Sequence, residues 1–350
     1  MANFDIKPPT LQSKPQSGSL QKNYRRKRNI LAWWEILILI VVFIITSFLV
    51  YVFFFATKAK KQIFQPKISS AYYYKIDNTK NNSKIKSLIF PSSYVSFLFL
   101  GIGGADYPGG SLTDSIQVVI IDKETKDIYL VSLPRDLWVN NGNCGYQKIN
   151  TMFWCGESYY QNGGQFAKDK VSEVLGIPIN YYVRMDFEGF RNLIDTLGGL
   201  DINVEKDFND YMAPLYLSAG WHHLDGATVL NYARSRYTDS DFDRSRRQQQ
   251  VIMSLKDKFL QDRIYLNPFK IYQIVKILAD HLRTDAEYRE AISYIGMMSK
   301  LKIKNNYVID NRKDNLLYST TLNGAYVLLP IAGEFDYSKI QAKVKEILNL

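Results

Sequence analysis

At 350 residues, 46% of them hydrophobic and 14% aromatic, the chain has enough apolar material for one membrane segment and one large domain, or two moderate ones. Two cysteines exclude a scaffold built from disulfides. A formal net charge of +10 points to an acidic partner, which could be phosphate, nucleic acid or an anionic membrane surface.

Residues 1–32 are polar and rich in Pro, Ser and Gln, and end near the basic cluster Arg25-Arg26-Lys27-Arg28. They read as a disordered tail. Residues 33–56 follow, and within them Ile36 to Ala56 carries no charge, no proline and no glycine. That length spans about 30 Å of hydrocarbon as a helix, with Trp33, Trp34 and Tyr51 as interface anchors. More basic residues precede the span than follow it at Lys58, Lys60 and Lys61, so the tail is expected in the cytoplasm and the rest outside the membrane. Residues 57–88 are rich in Lys, Ser, Asn and Tyr and read as a stalk.

From residue 89 the pattern is globular. Val95–Leu100, Ile116–Ile121 and Ile128–Leu133 are buried-strand candidates, the last two joined by a polar hairpin turn. Gln165–Leu175 reads as a helix closed by Gly176, Ile177–Met185 as a strand, and Phe187–Leu197 as a helix closed by Gly198-Gly199. Leu200–Val204 is again a strand. Gln248–Gln261, Pro268–Leu282 and Ala286–Leu301 read as helices. Short strands follow at Tyr307–Asp310 and Tyr326–Leu329, with a last helix from about Tyr337. Mixed strands and helices in this order predict a layered α/β/α domain with a central mixed sheet, preceded by one transmembrane helix.

The densest chemistry lies between Arg234 and Arg247, where five arginines are interrupted by three aspartates. Arg234 and Arg236 share one side of an extended chain, and Arg244 and Arg247 share one face at a helix start. A guanidinium fork suits bidentate capture of phosphate oxygens, so two such pairs would clamp an anion. A solvated salt-bridge surface is the commoner fate of an arginine run. Asp106 and Asp114 lie between two strands, and carboxylates near a bound diphosphate would suit Mg²⁺. Both are equally explained as turn residues. In Ser132-Leu133-Pro134-Arg135-Asp136, the proline ends a strand and sets the direction of Arg135, which could simply pair with Asp136. Cys144 and Cys155 could bond if the domain is outside the cytoplasm. His222, His223 and His281 lack metal spacing and read as satisfied polar or surface groups. No Walker or Rossmann fingerprint is present.

These stretches together resemble the LytR–CpsA–Psr family of membrane-anchored cell-wall proteins. FLFLGIGG, LTDSI, SLPRD, KIN (Lys148–Asn150), LGIPINYYVRMDFEGFRNLIDTLGGLDINV, AGWHHLDGATVLNYARSR and DFDRSRRQQQVI come in the family's order, within a motif core of 95–262 and ahead of a helical part at 263–350. The resemblance implies an extracytoplasmic transferase that attaches a glycopolymer, carried on a polyprenyl diphosphate lipid, to a peptidoglycan hydroxyl through a phosphodiester. It assigns the diphosphate to Arg135, Arg234, Arg236, Arg244 and Arg247, with Arg135, Arg236 and Arg244 catalytic, and Mg²⁺ to Asp114 and Asp106. Two departures stand out. Asp106 lacks the arginine that usually follows the family's first aspartate, and Asp243 replaces the glycine before the motif arginine. A polyprenyl-diphosphate phosphatase and a non-enzymatic polyanion-binding regulator are the rival readings. A nucleic-acid role is disfavoured, because the domain is expected to face away from the cytoplasm and acids interleave the arginines.

Overall fold

In the computed structural model, which describes residues 55–64, 90–212, 214–235, 241–312 and 314–350, the apolar runs become one central sheet. Its members are β1 (Tyr94–Ile102), β2 (Thr113–Asp122), β3 (Asp127–Ser132), β6 (Tyr181–Asp186), β11 (Leu282–Thr284) and β12 (Lys302–Val308), in the order β11-β6-β1-β2-β3-β12. The β1–β2, β2–β3 and β6–β11 pairs are antiparallel, whereas β1–β6 and β3–β12 are parallel. The fold is thus a mixed α/β domain with a six-stranded mixed sheet.

Alternation along the strands gives the sheet two apolar faces. Leu98, Leu100, Ile116, Val118, Ile120 and Val131 join one core with residues of the helices α2 (Gly163–Leu175) and α8 (Ser338–Leu348). Phe97, Val119, Ile121 and Leu130 join another with Met253 and Tyr294 of the helices α5 (Asp241–Gln261) and α7 (Tyr288–Met297). A smaller core lies beside the sheet. It gathers α3 (Phe187–Leu197), the ribbon of β7 (Leu200–Val204) with β10 (Gly220–Leu224), the hairpin β8 (Phe208–Asp210) and β9 (Leu215–Leu217), and α4 (Gly226–Arg234). The helix α6 (Pro268–His281) packs on α3.

Several elements escape the periodicity reading. A short hairpin, β4 (Trp138–Asn140) with β5 (Tyr146–Lys148), and the helix α1 (Met152–Tyr160) follow the Arg135 turn. The strand expected over 177–185 begins only at Tyr181, and α5 begins seven residues before its apolar period does. A last hairpin, β13 (Leu317–Leu322) with β14 (Ala325–Pro330), replaces the lone strand expected near 326.

The chain divides into two units, 1–58 and 59–350. Of the first, residues 55–58 are described, and they are helical. In the second, 59–63 are helical, and Ala59 and Ile63 are buried against Ala279. Among the described residues no helix is long and apolar enough to cross a membrane. The tail, and the span over 33–56 apart from its last two residues, lie outside the described residues.

Candidate functional site

Asp114 owes its position to a backbone irregularity. Gly101 pairs with Ser115 and Ile102 with Thr113, so Asp114 is an extra residue on β2. Such a bulge re-aims the side chain it carries. A Cβ on Gly101 would stand 3.1 Å from that of Ser115, so glycine permits the close strand approach beside the bulge.

Arg135 reaches Asp114 from the turn after β3. Its Nη1 donates to Asp114 Oδ1. The turn is braced from two sides. Leu137 N donates to Pro134 O at 3.2 Å, and the KIN segment runs alongside, with Ile149 N to Leu137 O at 2.7 Å and Asn150 N to Arg135 O at 3.3 Å. Lys148 Nζ pairs with the buried Asp136 at 2.6 Å, and Arg135 Nε lies 3.8 Å from the same carboxylate. The expected Arg135–Asp136 contact therefore exists, but Asp136 serves mainly Lys148 and Asp114 takes the fork.

Arg244, in the first turns of α5, is 3% exposed and donates from Nη2 to the main-chain oxygen of Asp114 at 3.2 Å. Two arginines far apart in sequence thus meet at one bulged aspartate. Behind them three consecutive glutamines fasten α5. Gln248 accepts from Ser115 Oγ at 2.8 Å and Gln117 Nε2 at 3.0 Å, and donates to Ala233 O at 3.2 Å. Gln249 donates to Ser132 Oγ at 2.7 Å and Tyr307 O at 2.9 Å. Gln250 accepts from Tyr232 Oη at 2.9 Å and donates to Asn203 O. Periodicity and charge do not mark Lys148 or these glutamines as site-shaping; the run Gln248–Gln250 directly after the arginines is the one signal for the glutamines.

The other candidates separate. Arg247 is 7% exposed; its Nε donates to Tyr232 O at 2.9 Å and its Nη2 to Ser235 O at 2.5 Å, so its fork holds carbonyls at the end of α4. Arg234 is the last residue of α4, not part of an extended strand, which removes the premise that it alternates with Arg236. Its guanidinium lies 4.3 Å from the ring centre of Phe187 and 5.1 Å from that of Tyr107, a cation–π contact at an exposed site. Arg236 lies outside the described residues. Asp106 is exposed, in a loop closed by hydrogen bonds between Gly104, Tyr107 and Gly110. Arg246 behaves as a surface salt bridge, 2.6 Å from Asp243. The histidines all have partners: His222 at Ser218 O, His223 at Asp201 and Gly198 O, His281 at Asp186. Cys144 and Cys155 form a disulfide that ties the β4–β5 hairpin to α1.

Among the described residues no group of three or more His, Cys, Asp or Glu side chains could enclose a metal ion. The cluster offers one carboxylate, Asp114, beside two arginines. That donor set fits a hard cation completed by phosphate oxygens and water, and does not fit an all-protein cage. Two open pockets, one lined by Tyr307, Asp314 and Lys343 and one by Asp195, His223 and Asp225, include none of the Asp114 cluster.

The chain resembles several known proteins. It is 36% identical over 194 residues to the regulatory protein MsrR of Staphylococcus aureus, covering 55% of this chain and 56% of MsrR. It is 30% identical over 236 residues to the polyisoprenyl-teichoic acid–peptidoglycan teichoic acid transferase TagV of Bacillus subtilis, covering 63% of this chain and 58% of TagV. The chain therefore spans a little over half the length of these curated relatives. The B. subtilis TagV crystal structure superposes with a TM-score of 0.56 at 28% identity, over 74% of this chain and 99% of that one. B. subtilis TagT with bound octaprenyl pyrophosphate shares the fold, with a TM-score of 0.55 at 21% identity over 76% of this chain and 96% of that one. The model of the LytR_cpsA_psr family matches residues 62–344, a stretch that holds the bulged aspartate and both arginines drawn to it, and the chain belongs to that family.

Proposed function

We propose that this chain is a transferase that moves a glycopolymer from a polyprenyl-diphosphate carrier to a peptidoglycan hydroxyl. The observation that carries the reading is the convergence of Arg135 and Arg244 on Asp114. Phosphoryl transfer needs little covalent help from protein and much positioning and charge stabilisation, which guanidinium groups supply. The acceptor hydroxyl oxygen attacks the phosphorus that bears the glycosyl group and gives up its proton to solvent, the bridging P–O bond breaks, and polyprenyl phosphate leaves with the electron pair. Arg135 and Arg244 bind and orient the diphosphate, with Arg236 as a third arginine. Asp114 fixes the direction of Arg135. Mg²⁺, when bound, supplies charge neutralisation at the diphosphate, with Asp114 as its ligand and Asp106 as a second. The name of TagV supports the same chemistry.

The surrounding architecture in this reading is a layered α/β/α domain, residues 89–350, held outside the membrane by a single span over 33–56 and a stalk over 57–88. Supplying lipid-linked glycopolymer to the purified full chain with and without peptidoglycan tests it. Polymer bound to the wall material is expected; polymer merely released into solution would make the chain a phosphatase. The regulatory name of MsrR favours a second reading, non-enzymatic polyanion binding. That reading requires affinity that falls steeply with salt and does not change in Asp114→Asn.

A further inference from the structure

Arg184 stands where a sheet would ordinarily carry an apolar residue. On β6 it lies in register with Leu100 of β1, which pairs with Ile116 of β2, and Tyr182 two residues earlier belongs to the same core as both. On its other side β11 sets Arg283 directly opposite. Like charges facing each other across strands destabilise a sheet unless something of opposite sign joins them.

Among the described residues no carboxylate touches Arg184, and Asp186 and Glu157 act on it only at longer range. Arg184 makes no ion pair and no side-chain hydrogen bond there, its Nε is buried without an acceptor, and its guanidinium carbon lies 5.2 Å from the ring centre of Phe153. The nearby acids are committed elsewhere. Asp186 Oδ1 accepts from Gly189 N at 2.8 Å and lies 2.9 Å from His281 Nδ1. Glu157 accepts from Gly163 N at 2.9 Å, and Asp285 holds Lys168 and Tyr182 N. Arg283 directs Nη1 to the carbonyls of Ala279 and Leu282, at 3.0 and 2.8 Å, so it adds charge beside Arg184 without moving into its place. Burial, then Arg283, push the Arg184 pKa below its ordinary value, and Tyr182, Asp186 and Glu157 only partly offset them.

We propose that Arg184, flanked by Arg283, is an oxyanion-binding position that receives a phosphate group outside the Asp114 cluster. Ile116, two residues from Asp114, lies two strand spacings away, roughly 10 Å. An anionic polymer or a diphosphate-linked lipid can reach both positions at once. Assigning the phosphate to the substrate rests on the transferase reading; the anion position itself does not.

The test uses the full chain in detergent, with inorganic phosphate titrated against sodium chloride at matched ionic strength. Arg184→Gln is expected to weaken phosphate binding about tenfold, the size of one charge-assisted hydrogen bond. Its effect adds to that of Arg135→Gln, as separate positions require. With lipid-linked substrate, KM rises about tenfold and kcat holds, which marks ground-state binding. Weaker phosphate binding with an unchanged KM makes free phosphate the ligand. Folded Arg184→Gln with both quantities unchanged overturns the proposal. Should that variant fail to fold, Arg184→Lys keeps the charge, loses the fork and is read the same way. If the wild-type chain transfers nothing, the phosphate titration alone decides.

Discussion

Arg135, Arg244 and Arg247 share a side-chain type but hold different partners, and substitution should separate them. Arg135 and Arg244 end on Asp114, so Arg135→Ala and Arg244→Ala are expected to lower the transfer rate on the order of 10²-fold or more, by analogy with removing one donor from an oxyanion hole. Transfer assays on protein whose melting temperature stays near wild type check this, and full activity in both variants removes the cluster from the chemistry. Arg247→Ala should instead cost about 2–4 kcal/mol of stability, because two buried carbonyls lose a charged donor. Denaturant midpoints measure that loss. Little of this division was legible in the sequence. The motif order located Arg135 and Arg244, but the destination of Arg247 depends on where α4 ends, and the stacking of Arg234 depends on the Tyr107 loop meeting α3.

At the scale of elements, caps and staples carry separable stability. Asp225 is the N-cap of α4, accepting from Thr228 N at 2.8 Å, and the Thr228 hydroxyl together with that N–H holds its carboxyl below the usual aspartate range. A depressed folded value means the cap's contribution is complete above the unfolded pKa of about 3.9 and is lost as pH falls through the folded value. Asp225→Ala should therefore cost about 1 kcal/mol at neutral pH, and almost nothing in acid below that value. Urea unfolding at a series of pH values checks the trend. The Cys144–Cys155 bond closes a short loop, with a sequence separation of 11, and its removal in Cys144→Ser is expected to cost about 3 kcal/mol. The same shift on adding reductant to wild type, and none in the variant, verifies the source. Elements with strong alternation or glycine stops, such as β1, β2, α2 and α3, were readable. The helix α1 was not, since MFWCGESYY has a central glycine and no clean apolar stripe, and what holds it is its packing on α2, the next helix in the chain. Short strands such as β4, β5, β8 and β9 are three residues each, below what alternation can reveal.

For the molecule as a whole, the organising fact is that the small core beside the sheet and the sheet itself share one helix. Val251 of α5 is buried in the former and Met253 packs into the latter. The three glutamines bridge the same two parts, since Gln249 bonds to β3 and β12, Gln250 to α4 and β7, and Gln248 to both β2 and α4. Each residue along a helix turns the next by about 100°. Adding a single alanine between Arg247 and Gln248 would leave every side chain present and swing Arg244 a quarter-turn or more out of phase with the glutamine moorings. Angular phasing of one cylinder, rather than the inventory of charges on it, thus decides whether two distant guanidinium groups can meet at one residue, Arg135 on its carboxylate and Arg244 on its main-chain oxygen.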